Sequence, residues 1–249
     1  MWDNPRRLNL AAGVLFTVAI ALALAGAAVY AMRSPAFVLN SIRVVGDVDH
    51  VAVPQVIDAL QGRVRGTFFS VDIDAIRALF ETLPWVRRAE VRRLWPDGLE
   101  VRIEEHVPLA RWGQERDGRL VNTYGEPFRG RVQGALPELF GPPGSEGMLA
   151  RRYAEFRGVL APLSIEPASV LLSARYAWQL QLSSGLIVKL GRDRDKDDAV
   201  QRLARFVAVY PYTLGKAQRR FEYVDLRYPN GFAVRAADAR ALHERLPRT

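Results

Sequence analysis

Apolar residues recur along this chain in three patterns, and each predicts a different kind of element. The first is an unbroken run. From Leu8 to Met32 (LNLAAGVLFTVAIALALAGAAVYAM) no residue is charged, and Arg6, Arg7 and Arg33 bracket the stretch. As a helix rising about 1.5 Å per residue it would extend about 37 Å, enough to cross a hydrocarbon layer of about 30 Å. A cleaved signal peptide is the competing reading, with Val29-Tyr30-Ala31 as the cleavage site. The apolar region of such a peptide is typically only about 7–15 residues, shorter than this run. The expectation is therefore an uncleaved transmembrane helix, residues 8–32, behind a short tail, residues 1–7. Arg6, Arg7 and the terminal amine outweigh Arg33, which favours a cytoplasmic tail.

The second pattern mixes periods of two and of 3.6 residues. In "FVLNSIRVVG", Val38, Asn40, Ile42 and Val44 alternate with Leu39, Ser41 and Arg43, and Gly46 ends the strand. Pro54 opens a short helix that Gly62 stops. In "SVDIDAIRALFETLP", Asp72 is the expected N-cap, Ile73, Ile76, Phe80 and Leu83 share a helical face, and Pro84 forces the exit. "WVRRAEVRRLWPDGLEVRIEEHVP" reads as a hairpin turning at Pro96-Asp97-Gly98, with Leu99, Val101 and Ile103 inward and Glu100, Arg102 and Glu104 outward. Two helices on a three-stranded sheet give a small domain of order β-α-α-β-β, residues 37–106.

The third pattern is short strand and turn segments interrupted by two helices. Leu149, Tyr153, Phe156 and Leu160 mark one helix; Val200, Leu203, Phe206 or Val207, and Tyr210 mark the other. Ser183-Ser184-Gly185 turns one strand into the next. This defines a mainly antiparallel β-domain with two helices, residues 107–235, and leaves residues 236–249 as a polar tail. The fold class is α+β behind one N-terminal span.

Charge and chemistry narrow the function by elimination. The net charge of +8 suits anionic partners such as lipid headgroups or nucleic acid, and equally a basic surface with no specific ligand. With no cysteine, disulfides and thiolate chemistry are excluded. Asp193, Asp195, Asp197 and Asp198 suggest a cation loop, but the sixth and twelfth positions counted from Asp193 are Asp198 and Ala204, where an EF-hand needs glycine and glutamate. Acids opening a helix, with an N-cap among them, are the better reading. His50, His106 and His243 are far apart, and Pro143 occupies the glycine position of a nucleophile elbow in "PPGSEG". No catalytic set, metal or cofactor is expected, and Arg87, Arg88, Arg92 and Arg93 are expected on solvated strand faces. A binding role follows, and the last strands suggest where. "EYVDLRYPNGFAVR" alternates Val224 and Leu226 against Tyr223, Asp225 and Arg227, breaks at Pro229-Asn230-Gly231, and resumes as "FAVR". A short apolar strand so late in the chain is expected at a sheet edge, where it could receive an added strand, unless the tail from Ala236 covers it.

Several of these segments carry a resemblance. Phe68-Phe69, Leu83-Pro84-Trp85-Val86, Arg93-Leu94-Trp95-Pro96 and Glu105-His106-Val107-Pro108-Leu109-Ala110 look like a POTRA domain of the FtsQ/DivIB family of bacterial cell division proteins. "LVNTYGEPF", "LPELFGPPGSEG", "WQLQLSSGLIVKLGR", "RLARF" and "YVDLRYPNGFAVR" stand in that family's order. The resemblance implies a non-catalytic bitopic scaffold of the cell inner membrane at the division septum, with periplasmic domains. It implies docking of FtsB, and through it FtsL, on the terminal hairpin by strand addition and arginine salt bridges. FtsK, FtsW, FtsI and FtsN are further candidate partners. Carried over position by position, the partner-binding residues are Arg175, Arg227, Tyr228, Asn230, Gly231 and Phe232. Two rivals share the pattern: another membrane-anchored POTRA-type assembly factor or chaperone, and a secreted enzyme released by signal cleavage.

Overall fold

The uncharged run forms one helix, α1 (Pro5–Met32), whose described side chains, residues 9–32, are all exposed. An apolar helix with no protein around it suits a lipid solvent, because its backbone groups are satisfied internally. Its Thr17 hydroxyl is satisfied too, donating to the Gly13 carbonyl at 2.8 Å. The computed structural model describes residues 5–32, 37–46, 48–51, 56, 60, 66–113, 117–194, 197–217, 219–228 and 231–237. Contacts divide the chain into Met1–Glu105 and His106–Thr249.

In the first unit, β1 (Ser41–Val45), α2 (Ile73–Phe80), β2 (Val86–Leu94) and β3 (Gly98–Glu105) build a POTRA domain. The sheet order is β1-β3-β2, with β1 parallel and β2 antiparallel to the central β3. Asp72 caps α2, its carboxylate accepting from Ala75 N at 3.0 Å. Ile76 and Phe80 pack with Val71, Ala89, Leu99, Val101 and Ile103. Of the helix expected between Pro54 and Gly62, Val56 and Leu60 alone are described, and both pack into this core.

Ahead of the regular strand, which starts at Ser41, Leu39 packs into the core while Val38 bridges Thr67. Two expectations change here. Glu100 is buried rather than outward, since β3 is flanked on both sides, and its carboxylate takes Arg92 at 2.6 Å. Arg93 does more than sit on a solvated face: Nε donates to the Phe68 carbonyl at 2.7 Å and Nη2 to that of Val71 at 3.0 Å. It fastens the turn before α2 to β2.

The second unit is one nine-stranded sheet, in the order β12-β11-β10-β9-β8-β7-β4-β5-β6. Its strands are β4 (Pro108–Trp112), β5 (Arg119–Asn122), β6 (Pro127–Arg129), β7 (Glu138–Phe140), β8 (Pro167–Leu172), β9 (Ala177–Leu182), β10 (Ile187–Arg192), β11 (Phe221–Asp225) and β12 (Ala233–Ala236). Antiparallel pairs dominate, but β4–β7, β7–β8 and β10–β11 are parallel. Parallel neighbours need a crossover, and the two helices supply two of them. Helix α3 (Glu146–Leu160) links β7 to β8, and α4 (Ala199–Val209) links β10 to β11. The helices pack on each other and on the sheet. Leu149, Tyr153, Phe156 and Leu160 from α3 meet Leu203 and Phe206 from α4 in a common core with Trp178, Leu180 and Val188.

The aspartates ahead of α4 behave as helix-opening acids. Asp198 accepts from Gln201 N at 2.7 Å, and Asp193 accepts from Ala199 N at 2.8 Å, Trp178 Nε1 at 3.1 Å and Arg152 Nη2 at 2.8 Å.

Candidate partner-docking edge

Strand β12 is the last rung of the sheet. It pairs antiparallel with β11 in the register Asp225↔Ala233, Val224↔Val234 and Tyr223↔Arg235. Among the described residues, no strand pairs with its other side. Ala233 and Val234 are exposed. Beneath it, β11 lies parallel on β10, with Val224 and Leu226 buried as the alternation predicts. On the opposite face Tyr223 lies 4.0 Å beneath the Lys189 ammonium, a cation–π contact.

Asp225 departs from the expected outward pattern. It is buried, because β11 is covered on both sides, and Arg227 answers its charge. Arg227 Nε donates to both carboxylate oxygens, at 2.8 and 3.0 Å, and Nη2 adds a charge-assisted bond. These hydrogen bonds hold the Asp225 carboxyl below the usual carboxylate range, against the opposing push of burial. The arginine is thus an oriented cation, clamped by a buried acid on one edge while its side chain remains 59% exposed. Its stem crosses Gly191, where an added Cβ would come within 2.9 Å of Arg227 Cγ and where φ is +77°. Glycine there clears the seat.

The clamp gives the edge an acid sensitivity. A carboxyl with a lowered folded pKa stabilises the fold above its unfolded value, about 4, and loses that contribution as pH falls below it. Asp225→Asn should therefore flatten the acid limb of a melting-temperature series run from about pH 6 to about pH 3. At neutral pH it should cost about 1 kcal/mol, since the exposed guanidinium is screened. An unchanged acid limb would show that the pair contributes nothing.

Four of the six sequence-predicted positions gather around this hairpin. Arg227 is clamped as described, and Tyr228 follows it, 57% exposed. Gly231 is exposed, and a Cβ built on it meets nothing within 4 Å. Phe232 is half-buried, its ring edge-on to Phe206 at 5.8 Å, so it ties the returning strand to α4. Asn230, with Pro229, lies outside the described residues. Arg175 is exposed in the β8–β9 turn. Register puts that turn at the same end of the sheet as Arg227: Ala177 pairs with Arg192, and a cavity of about 440 Å³ has Ala177, Arg192 and Arg227 on its wall.

That cavity also contains residues the sequence reading missed. Arg194 and the buried Arg202 line it beside Asp193. Arg202 Nη1 donates to the Asp197 carboxylate at 2.8 Å and Nη2 to the Arg192 carbonyl at 2.6 Å, while its Nε finds no partner among the described residues. The burial of Asp225 and Arg202 escaped notice because both are charged, and pattern alone assigns such residues to solvent.

An N-terminal helix long and apolar enough to fit a single-pass membrane protein, a POTRA domain and a mostly stranded β-domain with two helices define a class: POTRA-containing proteins with one apolar helix ahead of two folded units. Family comparison agrees domain by domain. Residues 37–106 match the POTRA domain, FtsQ-type, and residues 110–227 match the C-terminal domain of cell division protein FtsQ/DivIB. The chain is 43% identical to cell division protein FtsQ of Burkholderia pseudomallei over 97% of both chains. It is 36% identical to that of Bordetella pertussis, covering 95% of this chain and 93% of the relative. It is also 38% identical to that of Nitrosospira multiformis, covering 94% and 99%. The chain belongs to the FtsQ/DivIB family of cell division proteins.

Proposed function

We propose that this protein is a non-catalytic, single-pass scaffold of the division machinery that captures FtsB, and through it FtsL, by adding a strand to the outer side of β12. In this reading residues 1–7 are cytoplasmic, α1 crosses the cell inner membrane, and both folded units lie in the periplasm at the septum. The POTRA domain serves recruitment, with FtsK, FtsW, FtsI and FtsN as candidate contacts. The observation that carries the proposal is the outer side of β12, unpaired among the described residues, on the same hairpin as a clamped arginine.

The physical steps are simple. The positive protein, with Arg175 and Arg227 at one end of the sheet, steers an acidic segment toward the edge. Main-chain hydrogen bonds then extend the ladder, and side chains fix the register. Asp225 has already restricted the Arg227 fork, so less freedom is lost when a partner carboxylate arrives. Tyr228 offers a large rigid surface next to the rim.

Co-purification of the full chain with FtsB tests this reading. Tyr228→Ala is expected to weaken capture about 30-fold, the effect of losing an anchor worth about 2 kcal/mol, with thermal unfolding unchanged because the ring is exposed. Undiminished recovery of FtsB would remove Tyr228 from the interface.

A further inference from the structure

We infer that the aromatic cluster of Phe37, Phe69 and Trp95 is a foot that seats the POTRA domain in the headgroup–acyl boundary of the bilayer from which α1 emerges. The inference rests on α1 spanning that bilayer. In the first unit, outside α1, the exposed large apolar side chains among the described residues are Val38 (46%), Phe69 (40%) and Trp95 (67%). They are not scattered. Phe37 lies 5.1 Å from Phe69 and 6.4 Å from Trp95, Phe68 lies 5.5 Å from Trp95, and Val38 bridges Thr67. A soluble domain that gathers its exposed apolar side chains in one place marks a contact surface.

The position of the patch identifies the occupant. Thr67 Oγ1 donates to the Met32 carbonyl at 2.8 Å. That carbonyl closes the apolar helix and belongs to the set a helix leaves unsatisfied. The turn bearing Phe68 and Phe69 thus touches the point where the apolar run stops, which is where the bilayer surface must lie if α1 spans it. The backbone of Phe68 donates to the Phe37 carbonyl at 2.8 Å, so Phe37, Val38 and this turn form one piece.

The residue types fit the same place. Tryptophan and other aromatics favour the interface, where the ring meets acyl chains and the indole N–H meets headgroups. Arg93 occupies the Phe68 and Val71 carbonyls, which spares that turn bare acceptors in a poorly hydrated layer. Arg93 is itself exposed on the adjoining strand and is bonded only to neutral carbonyls among the contacts described, a charge suited to anionic lipid.

The test uses the full chain in nanodiscs of phosphatidylethanolamine and phosphatidylglycerol, with or without lipids brominated near the headgroup end of the acyl chain. Trp2→Phe forms the background, removing the tryptophan on the other side of α1. Trp95→Phe is expected to remove most of the bromine-dependent quenching of tryptophan fluorescence. Trp85→Phe, at the opposite end of β2 and roughly 30 Å away along the strand, should leave it in place. Equal quenching in the two variants, or none in either, would overturn the foot and turn the patch toward a protein partner. Failure of the chain to insert would overturn the anchor and the foot together, whereas insertion without quenching overturns the foot alone.

Discussion

Gly231→Lys is expected to abolish FtsB capture while moving the unfolding temperature by no more than about 2 °C. Gly231 is exposed, its φ lies outside the left-handed region, and an added Cβ meets open space. A side chain there costs the fold no more than about 0.5 kcal/mol, the scale of an ordinary surface change. An incoming strand, however, must bring its backbone to about 4.8 Å from the edge, and lysine is among the residues that natural edges use to prevent such pairing. The expected loss is at least about 100-fold in affinity, measured by titrating the full chain in detergent with FtsB, and Gly231→Ala should lie between the extremes. Capture by Gly231→Lys equal to wild type would exclude strand addition at this rim. The substitution separates binding from folding because no packing among the described residues requires glycine at this position.

Phe206→Ala is the complementary experiment, and its primary effect is on stability. Phe206 is 1% exposed and touches Tyr210 at 5.4 Å and Phe232 at 5.8 Å, both edge-on. Truncating so buried a ring should cost about 3–5 kcal/mol, a drop in the melting temperature on the order of 10 °C. It also removes the surface on which Phe232 rests. Amide exchange in residues 231–236 should therefore accelerate beyond the rest of the sheet, and FtsB capture should fall with it. A variant that melts as wild type would mean the core collapses around the gap; unchanged exchange at β12 would mean that Phe232 does not hold the hairpin.

Much of the fold was legible from pattern because local rules and packing agree. Asp72 caps α2, the alternation in "GLEVRIEE" buries Leu99, Val101 and Ile103, and the face of α3 is the one its spacing names. What escaped depends on neighbours distant in sequence. The parallel β7–β8 and β10–β11 pairs arise because each helix returns the chain in the same direction, a fact of topology that short strands do not carry in their composition. The alternation alone did not say which of Val38 and Leu39 joins the core; Leu39 does, because the regular strand begins only at Ser41. At the candidate edge, the short strand that resumes after Gly231 followed from the residue pattern. The Asp225 clamp did not, since a buried acid can be recognised only when strands on both sides of it are known.

The order of strands has a temporal consequence. Among the described residues β12 pairs only with β11, and β11 is held on β10 after the long return through α4. The rim proposed as the docking surface therefore comes into being only once the chain has been synthesised through Ala236. A nascent or nicked chain that stops before Phe221 would present the flank of β10 instead, with Val188, fully covered in the finished sheet, at a raw boundary. Under the proposed docking, recruitment through β12 would proofread its own receptor: an unfinished molecule would lack the surface that admits it to the assembly.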